Sequence, residues 1–117
     1  MKEEKLTVLV VEHDKLPRVK EIPNTLKALQ REVDGYIEVV AEPFTDNAVI
    51  VCDEEGKFKG KRTNRPLFTY DGEIYDFIKG TFLIVGTSGE EFCSLTPAQI
   101  AKYTDLYRNT MLPGQLD

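Results

Sequence analysis

The chain of 117 residues has no tryptophan, one histidine (His13) and two cysteines, Cys52 and Cys93. A structural zinc site takes about four Cys or His ligands, so no metal is expected. Any Ser-His-Asp or Cys-His device would have to run through His13, and a lone histidine in the turn His13-Asp14-Lys15-Leu16-Pro17 reads as exposed and inert. No catalytic residue and no cofactor is assigned. Both cysteines sit beside apolar residues and read as buried thiols, the state a reducing cytoplasm maintains. No apolar run approaches the roughly 20 residues that span a bilayer. The opening Met1-Lys2-Glu3-Glu4-Lys5 lacks the apolar stretch of a secretory signal. A soluble cytoplasmic protein without a membrane partner is expected. Fifteen Lys and Arg against twenty Asp and Glu leave a net charge of −5, which argues against general nucleic-acid binding.

What is present suits a globular domain: 41% apolar and 30% charged residues, too apolar for disorder. At roughly 150 residues per domain, residues 1–117 make a single α+β domain, with 1–5 and 111–117 as tails. Leu6 to Val11 is short, β-branched and continuously apolar, which predicts a central strand buried on both faces. Arg18 to Ile22 returns as its hairpin partner. Asn24 is the expected N-cap of a helix whose apolar stripe is Leu26, Leu29 and Val33, ended by Gly35. Strands are expected over Tyr36 to Ala41 and Asn47 to Cys52, with turn chemistry at Pro43, Thr45 and Asp46 between them. Asp53 to Gly56 is a second turn. Lys57 to Tyr70 has little periodicity and predicts an irregular excursion, with room for a short strand at its start. Ile74, Phe77 and Ile78 have the spacing of a short helix closed by Gly80. Thr81 to Val85 is another buried strand, and Thr96-Pro97-Ala98-Gln99 has the make-up of a capping box opening a second helix, with Ile100, Tyr103 and Tyr107 as its buried stripe. The pattern predicts a two-layer domain, a mixed, mostly antiparallel sheet with both helices on one face.

The run Lys57-Phe58-Lys59-Gly60-Lys61-Arg62-Thr63-Asn64-Arg65 packs five cations into nine residues without an acid. Two readings fit it. One is a solvated loop balancing the acids Asp53 to Glu55. The other is a site for a small anionic or nucleotide ligand, since phosphates favour concentrated donors and the Arg fork binds them bidentately. In that second reading Lys59, Lys61, Arg62 and Arg65 meet phosphate, Asn64 a ribose or base edge, and Tyr70 supplies an aromatic face for stacking. Asn64 and Arg65 also suit structural roles, holding a turn and bracing an acidic loop. Asp71, Glu73 and Asp76 are close enough for acid–base or Mg²⁺ chemistry, but among twenty acids such spacing reads first as a solvated face. Gly86-Thr87-Ser88-Gly89 reads as a tight turn.

Several motifs in fixed order carry a resemblance: Val-Leu-Val-Val-Glu from Val8, Gly35-Tyr36-Ile37-Glu38-Val39, Cys52-Asp53-Glu54-Glu55-Gly56-Lys57, Asn64-Arg65-Pro66-Leu67, Gly80-Thr81-Phe82-Leu83-Ile84-Val85-Gly86 and Phe92-Cys93-Ser94-Leu95-Thr96. From about Leu6 to Tyr107 the chain resembles a family of small domains of unknown function carried by phages, plasmids and integrated elements of mainly Gram-positive bacteria. The family usually has a plain turn at His13-Asp14 and often Asn at Asp53. The resemblance implies a mobile-element protein of the host bacterial cytoplasm, and small proteins of that setting often act against host defences.

Three functions are therefore expected in descending order. The first is a non-enzymatic counter-defence protein sequestering a nucleotide-derived signal through the basic loop, with a homo-oligomer interface as one way to complete the site. The second is a protein–protein inhibitor that meets a host protein through a sheet edge or an acidic face, at Glu54-Glu55 or Glu90-Glu91. The third is a metal-dependent nucleotide hydrolase using the acids around Glu73.

Overall fold

A computed structural model describes residues 4–41 and 46–109. The expected turn at Pro43 and Thr45 and the tail 111–117 lie outside them. In chain order the elements are β1 (Lys5–Val11), β2 (Arg18–Pro23), α1 (Leu26–Val33), β3 (Ile37–Val40), β4 (Ala48–Asp53), β5 (Thr63–Phe68), β6 (Ile74–Lys79), β7 (Phe82–Ser88), β8 (Glu91–Cys93) and α2 (Pro97–Leu106). The main sheet runs β2-β1-β7-β4-β3, with β8 pairing the far end of β7. β5 and β6 form a separate two-stranded ribbon. The domain is α+β, and every pairing among the described residues is antiparallel, so the expected mixed sheet is corrected on that point.

Side chains alternate across a strand, and here both faces are covered. Leu6, Val8 and Val10 of β1 pack with Leu83 and Val85 of β7 and with Leu29 and Val33 of α1. Leu9 and Val11 turn the other way, to Ile50, Phe82 and Ile84 and to Tyr103 and Tyr107 at α2. That second core also takes Leu67 and Ile78 from the β5–β6 ribbon. The helices therefore lie on opposite faces rather than on one, and the domain has three layers. Continuous apolar strands demand this: were one face bare, every second residue of Leu6–Val11 would meet water, forfeiting about 1.5–3 kcal/mol per large apolar side chain.

Local signals explain most element ends, with five corrections. The N-cap of α1 is Thr25, whose hydroxyl accepts from the Ala28 N–H at 3.1 Å; Asn24 precedes it. The left-handed C-cap is Asp34, at φ 57°, one residue before the expected Gly35. Ile74–Lys79 is a strand, not a short helix, and the only strand inside 57–70 is β5, at the far end of that stretch. Lys5, assigned to a tail, pairs with Pro23 at the start of β1. At α2 the capping box forms as the sequence predicts: Gln99 N–H donates to the Thr96 hydroxyl at 3.1 Å and Thr96 N–H to the Gln99 amide oxygen at 2.9 Å.

Candidate functional site: an open cationic cleft beside the first helix

The chain leaves β4 at Asp53 and curls back on itself. Lys59 N–H donates to Glu55 C=O at 3.0 Å, Lys61 N–H to Gly56 C=O at 3.1 Å, and Gly60 takes the left-handed conformation, φ 70°, that lets the curl close. This returns Lys59 and Lys61 to the end of β4, where both reach the Asp53 carboxylate, at 2.9 and 2.7 Å. The Asp53 side chain is wholly buried, and the Glu55 N–H also donates to it at 3.0 Å. Burial works to raise the pKa of this carboxyl, but the hydrogen bonds from Lys61, the Glu55 N–H and Lys59 overcome it and bring the pKa down to about 2.

The same lysines close the C-terminus of α1. Lys61 Nζ donates to Val33 C=O and Asp34 C=O at 2.8 Å each, and Lys59 Nζ reaches Asp34 C=O at 3.2 Å. Cations are favoured there by the helix dipole and by carbonyls left without intrahelical partners. An ammonium has three donors. Lys61 spends all three on protein, whereas Lys59 has one left, and its side chain is 40% exposed.

The two halves of the basic run therefore diverge. Asn64 and Arg65, expected at a phosphate and a base edge, are each 1% exposed. Asn64 Nδ2 bridges Val11 C=O and Gly80 C=O at 2.8 and 2.9 Å. The Arg65 guanidinium reaches Tyr107 C=O at 3.0 and 3.2 Å, Lys15 C=O at 2.6 Å and Asn64 Oδ1 at 2.8 Å. These two bind the β5–β6 ribbon to β1, to the turn before β2 and to the end of α2. Both are buried although they are consecutive, because the ribbon register shifts between Thr63 and Arg65 and interrupts the alternation of β5, and a cation buried there is satisfied by carbonyls. Arg62 is exposed beside His13 and Thr81 in a hollow of about 310 Å³. His13 is held by its Nδ1, 2.7 Å from Thr63 C=O. Tyr70 stands exposed at the ribbon tip, away from the other five residues of the expected site.

A different set of side chains meets at the outer face of α1. Leu29 and Val33 point to the core, so at 100° per residue Lys27, Gln30 and Arg31 point away from it. They form one wall of an open cleft of about 570 Å³, with Tyr36, Glu55 and Lys59 on the other. Tyr36 is 65% exposed. Its carbonyl accepts from the Glu54 N–H at 2.9 Å, which extends the β3–β4 ladder by one step and sets the ring beside the curl. Gly35 beneath it lies against Asp53: a Cβ there would stand 2.4 Å from Oδ1. Sequence reasoning found Lys59 but missed Lys27, Gln30, Arg31 and Tyr36. The signal was the pair Lys27 and Arg31, one helical turn apart and opposite the apolar stripe.

The acids grouped by sequence have separate partners. Asp76 accepts both oxygens' bonds from Lys57, at 2.6 and 2.7 Å, across a slot of about 250 Å³ between β4 and β6, and that hydrogen bond lowers its pKa. Asp71 accepts from the Thr69 hydroxyl. Among the described residues no group of three or more His, Cys, Asp or Glu is placed to hold a metal ion. Cys52 and Cys93 form no disulfide. Burial pushes the Cys52 thiol up to about 12, so it is inert at neutral pH; Cys93 is only half-buried, contrary to expectation. No helix among the described residues is long and apolar enough to cross a membrane.

No curated protein and no solved structure matches the chain. A family model does match, over residues 5–108, which takes in every strand and both helices. The chain belongs to the family described as Domain of unknown function (DUF3846).

Proposed function

We propose that the protein is a non-catalytic binding protein that holds a small anionic ligand of the nucleotide class in the cleft beside α1. One observation carries the reading. Lys27, Arg31 and Lys59 line one concavity with an exposed aromatic ring, and among the described residues neither Lys27 nor Arg31 is in an ion pair. In a chain of net charge −5, uncompensated cations gathered at one place favour an anion there. Tyr36 offers a face for a base, and the spare donor of Lys59 supports a phosphate from the opposite wall. Asn64 and Arg65 have no part in this reading. In the mobile-element setting implied by the resemblance, holding such a ligand would withdraw a nucleotide signal from host defence.

Calorimetric titration with nucleoside mono- and diphosphates tests it. Binding should weaken with rising salt and fall about 10- to 100-fold in Lys27→Ala/Arg31→Ala, the loss expected for charge-assisted hydrogen bonds. Undiminished affinity in that variant, or no heat from any nucleotide, overturns the proposal.

A second reading, protein–protein inhibition, draws on β3. It pairs only with β4 among the described residues, and Val39 on it is half exposed, so a partner strand has an edge to join. Val39→Lys should then abolish a stoichiometric protein complex and leave nucleotide titration unchanged.

A further inference from the structure

We propose that the cleft selects guanine over adenine nucleotides and that the Glu55 carboxylate reads the base; this rests on the anion-binding reading above and specifies its ligand. Three cations and one carboxylate line the concavity. A carboxylate repels phosphate, so its place in an anion cleft needs a different part of the ligand to meet it. The backbone sets that place. β3 and β4 pair with Ile37 opposite Asp53, and the Glu54 N–H bonds to Tyr36 C=O at 2.9 Å, so Tyr36 and Glu55 stand within one ladder step of each other. Lys27 and Arg31 belong to the other wall, on α1, about 6 Å apart along its axis. The cleft is thus bipartite, with an aromatic ring, a carboxylate and the partly engaged Lys59 at the end of the sheet and, on the helix, two cations unpaired among the described residues.

A base stacked on Tyr36 presents its Watson–Crick edge to its surroundings. Guanine carries two donors side by side there, N1–H and the N2 amino group, which match the two oxygens of an acceptor-only carboxylate. Adenine presents one amino donor beside the N1 lone pair, so one carboxylate oxygen gains a bond and the other faces a lone pair. Uracil offers a single N–H between two carbonyls, and cytosine a single amino group. Only guanine satisfies both oxygens. Glu55 is exposed, and its backbone rather than its carboxylate holds the curl together, so substitution there leaves the fold intact.

The test is calorimetric titration of the full chain with GDP and with ADP, repeated in Glu55→Gln and Tyr36→Ala. GDP should bind about 10- to 100-fold more tightly than ADP. Glu55→Gln should bring the two to within a fewfold of each other, chiefly by weakening GDP. Tyr36→Ala should weaken both. Equal affinities for GDP and ADP, or a preference that survives Glu55→Gln, overturns the assignment of Glu55 while the anion cleft stands. If neither nucleotide binds, the cleft reading falls with it.

Discussion

Lys61 grips Asp53 from across the curl, its Nζ 2.7 Å from Oδ2 of a carboxylate that solvent does not reach. The densest run of positive charge in the chain is therefore used first on the protein itself. It neutralises one buried acid and caps one helix. Lys57 faces outward paired with Asp76, and the residues left over are Lys59 in part and Arg62.

That grip makes stability depend on pH in a defined window. In the unfolded chain Asp53 titrates near 3.9; in the folded chain its pKa is about 2. The folded state holds the proton less tightly, so this stabilisation is complete well above pH 4 and disappears as pH falls toward 2. Asp53→Asn should cost about 2–3 kcal/mol at neutral pH, because it leaves Lys61 without its counter-charge, and the gap to the parent should close on acidification. Glu12 and Asp76, whose pKa values Arg18 and Lys57 lower by hydrogen bonding, act in both proteins and cancel in the difference. Denaturant titrations between pH 7 and pH 2 measure this; two parallel stability curves would refute it.

Gly35→Ala should be destabilising for a steric reason. The added Cβ would meet Oδ1, Cγ and Oδ2 of Asp53 at 2.4, 2.5 and 2.7 Å, and the carboxylate cannot retreat while two lysines hold it. A loss of about 1–3 kcal/mol is expected. In an Asp53→Ala background the same substitution should cost far less, since the obstacle is gone. Thermal unfolding of the four proteins in this cycle reads the coupling directly.

Arg65→Lys tests whether Arg65 is structural. A lysine keeps the charge but lacks the planar fork that spans Tyr107 C=O, Lys15 C=O and Asn64 Oδ1. Stability should fall by about 2–4 kcal/mol, with nucleotide titration of the remaining folded protein unchanged. A variant as stable as its parent but unable to bind would return Arg65 to the ligand site.

The parts of the fold legible in the sequence are those governed by near neighbours. α2 announces itself because Thr96, Pro97 and Gln99 satisfy its first turn within four residues. β1 and β7 are visible because an apolar run too short for a helix must be a strand covered on both sides. β6 misleads for a local reason: the register of the ribbon slips between Leu67 and Phe68, where Phe68 pairs with Ile74 but Leu67 with Asp76. The bulge breaks the period of two and leaves Ile74, Phe77 and Ile78 at a helix-like spacing. The α1 ends shift by one residue because Asn24 and Thr25 are both competent caps, and because Asp tolerates the left-handed conformation that glycine usually supplies.

The order of charges along the chain also placed a basic segment directly after an acidic one, and it identified Lys59. It did not say which cations remain available. That was decided by long-range packing. Asp53 ends a central strand and is buried, α1 ends beside it with bare carbonyls, and β5 faces inward, so Lys61, Asn64 and Arg65 find partners up to 53 residues away. Lys27, Arg31 and Tyr36 become neighbours of the curl only when α1 and the β3–β4 ladder settle on the sheet. A side chain's type follows from the sequence, but whether its charge is already spent depends on where the folded backbone sets its unpaired oxygens.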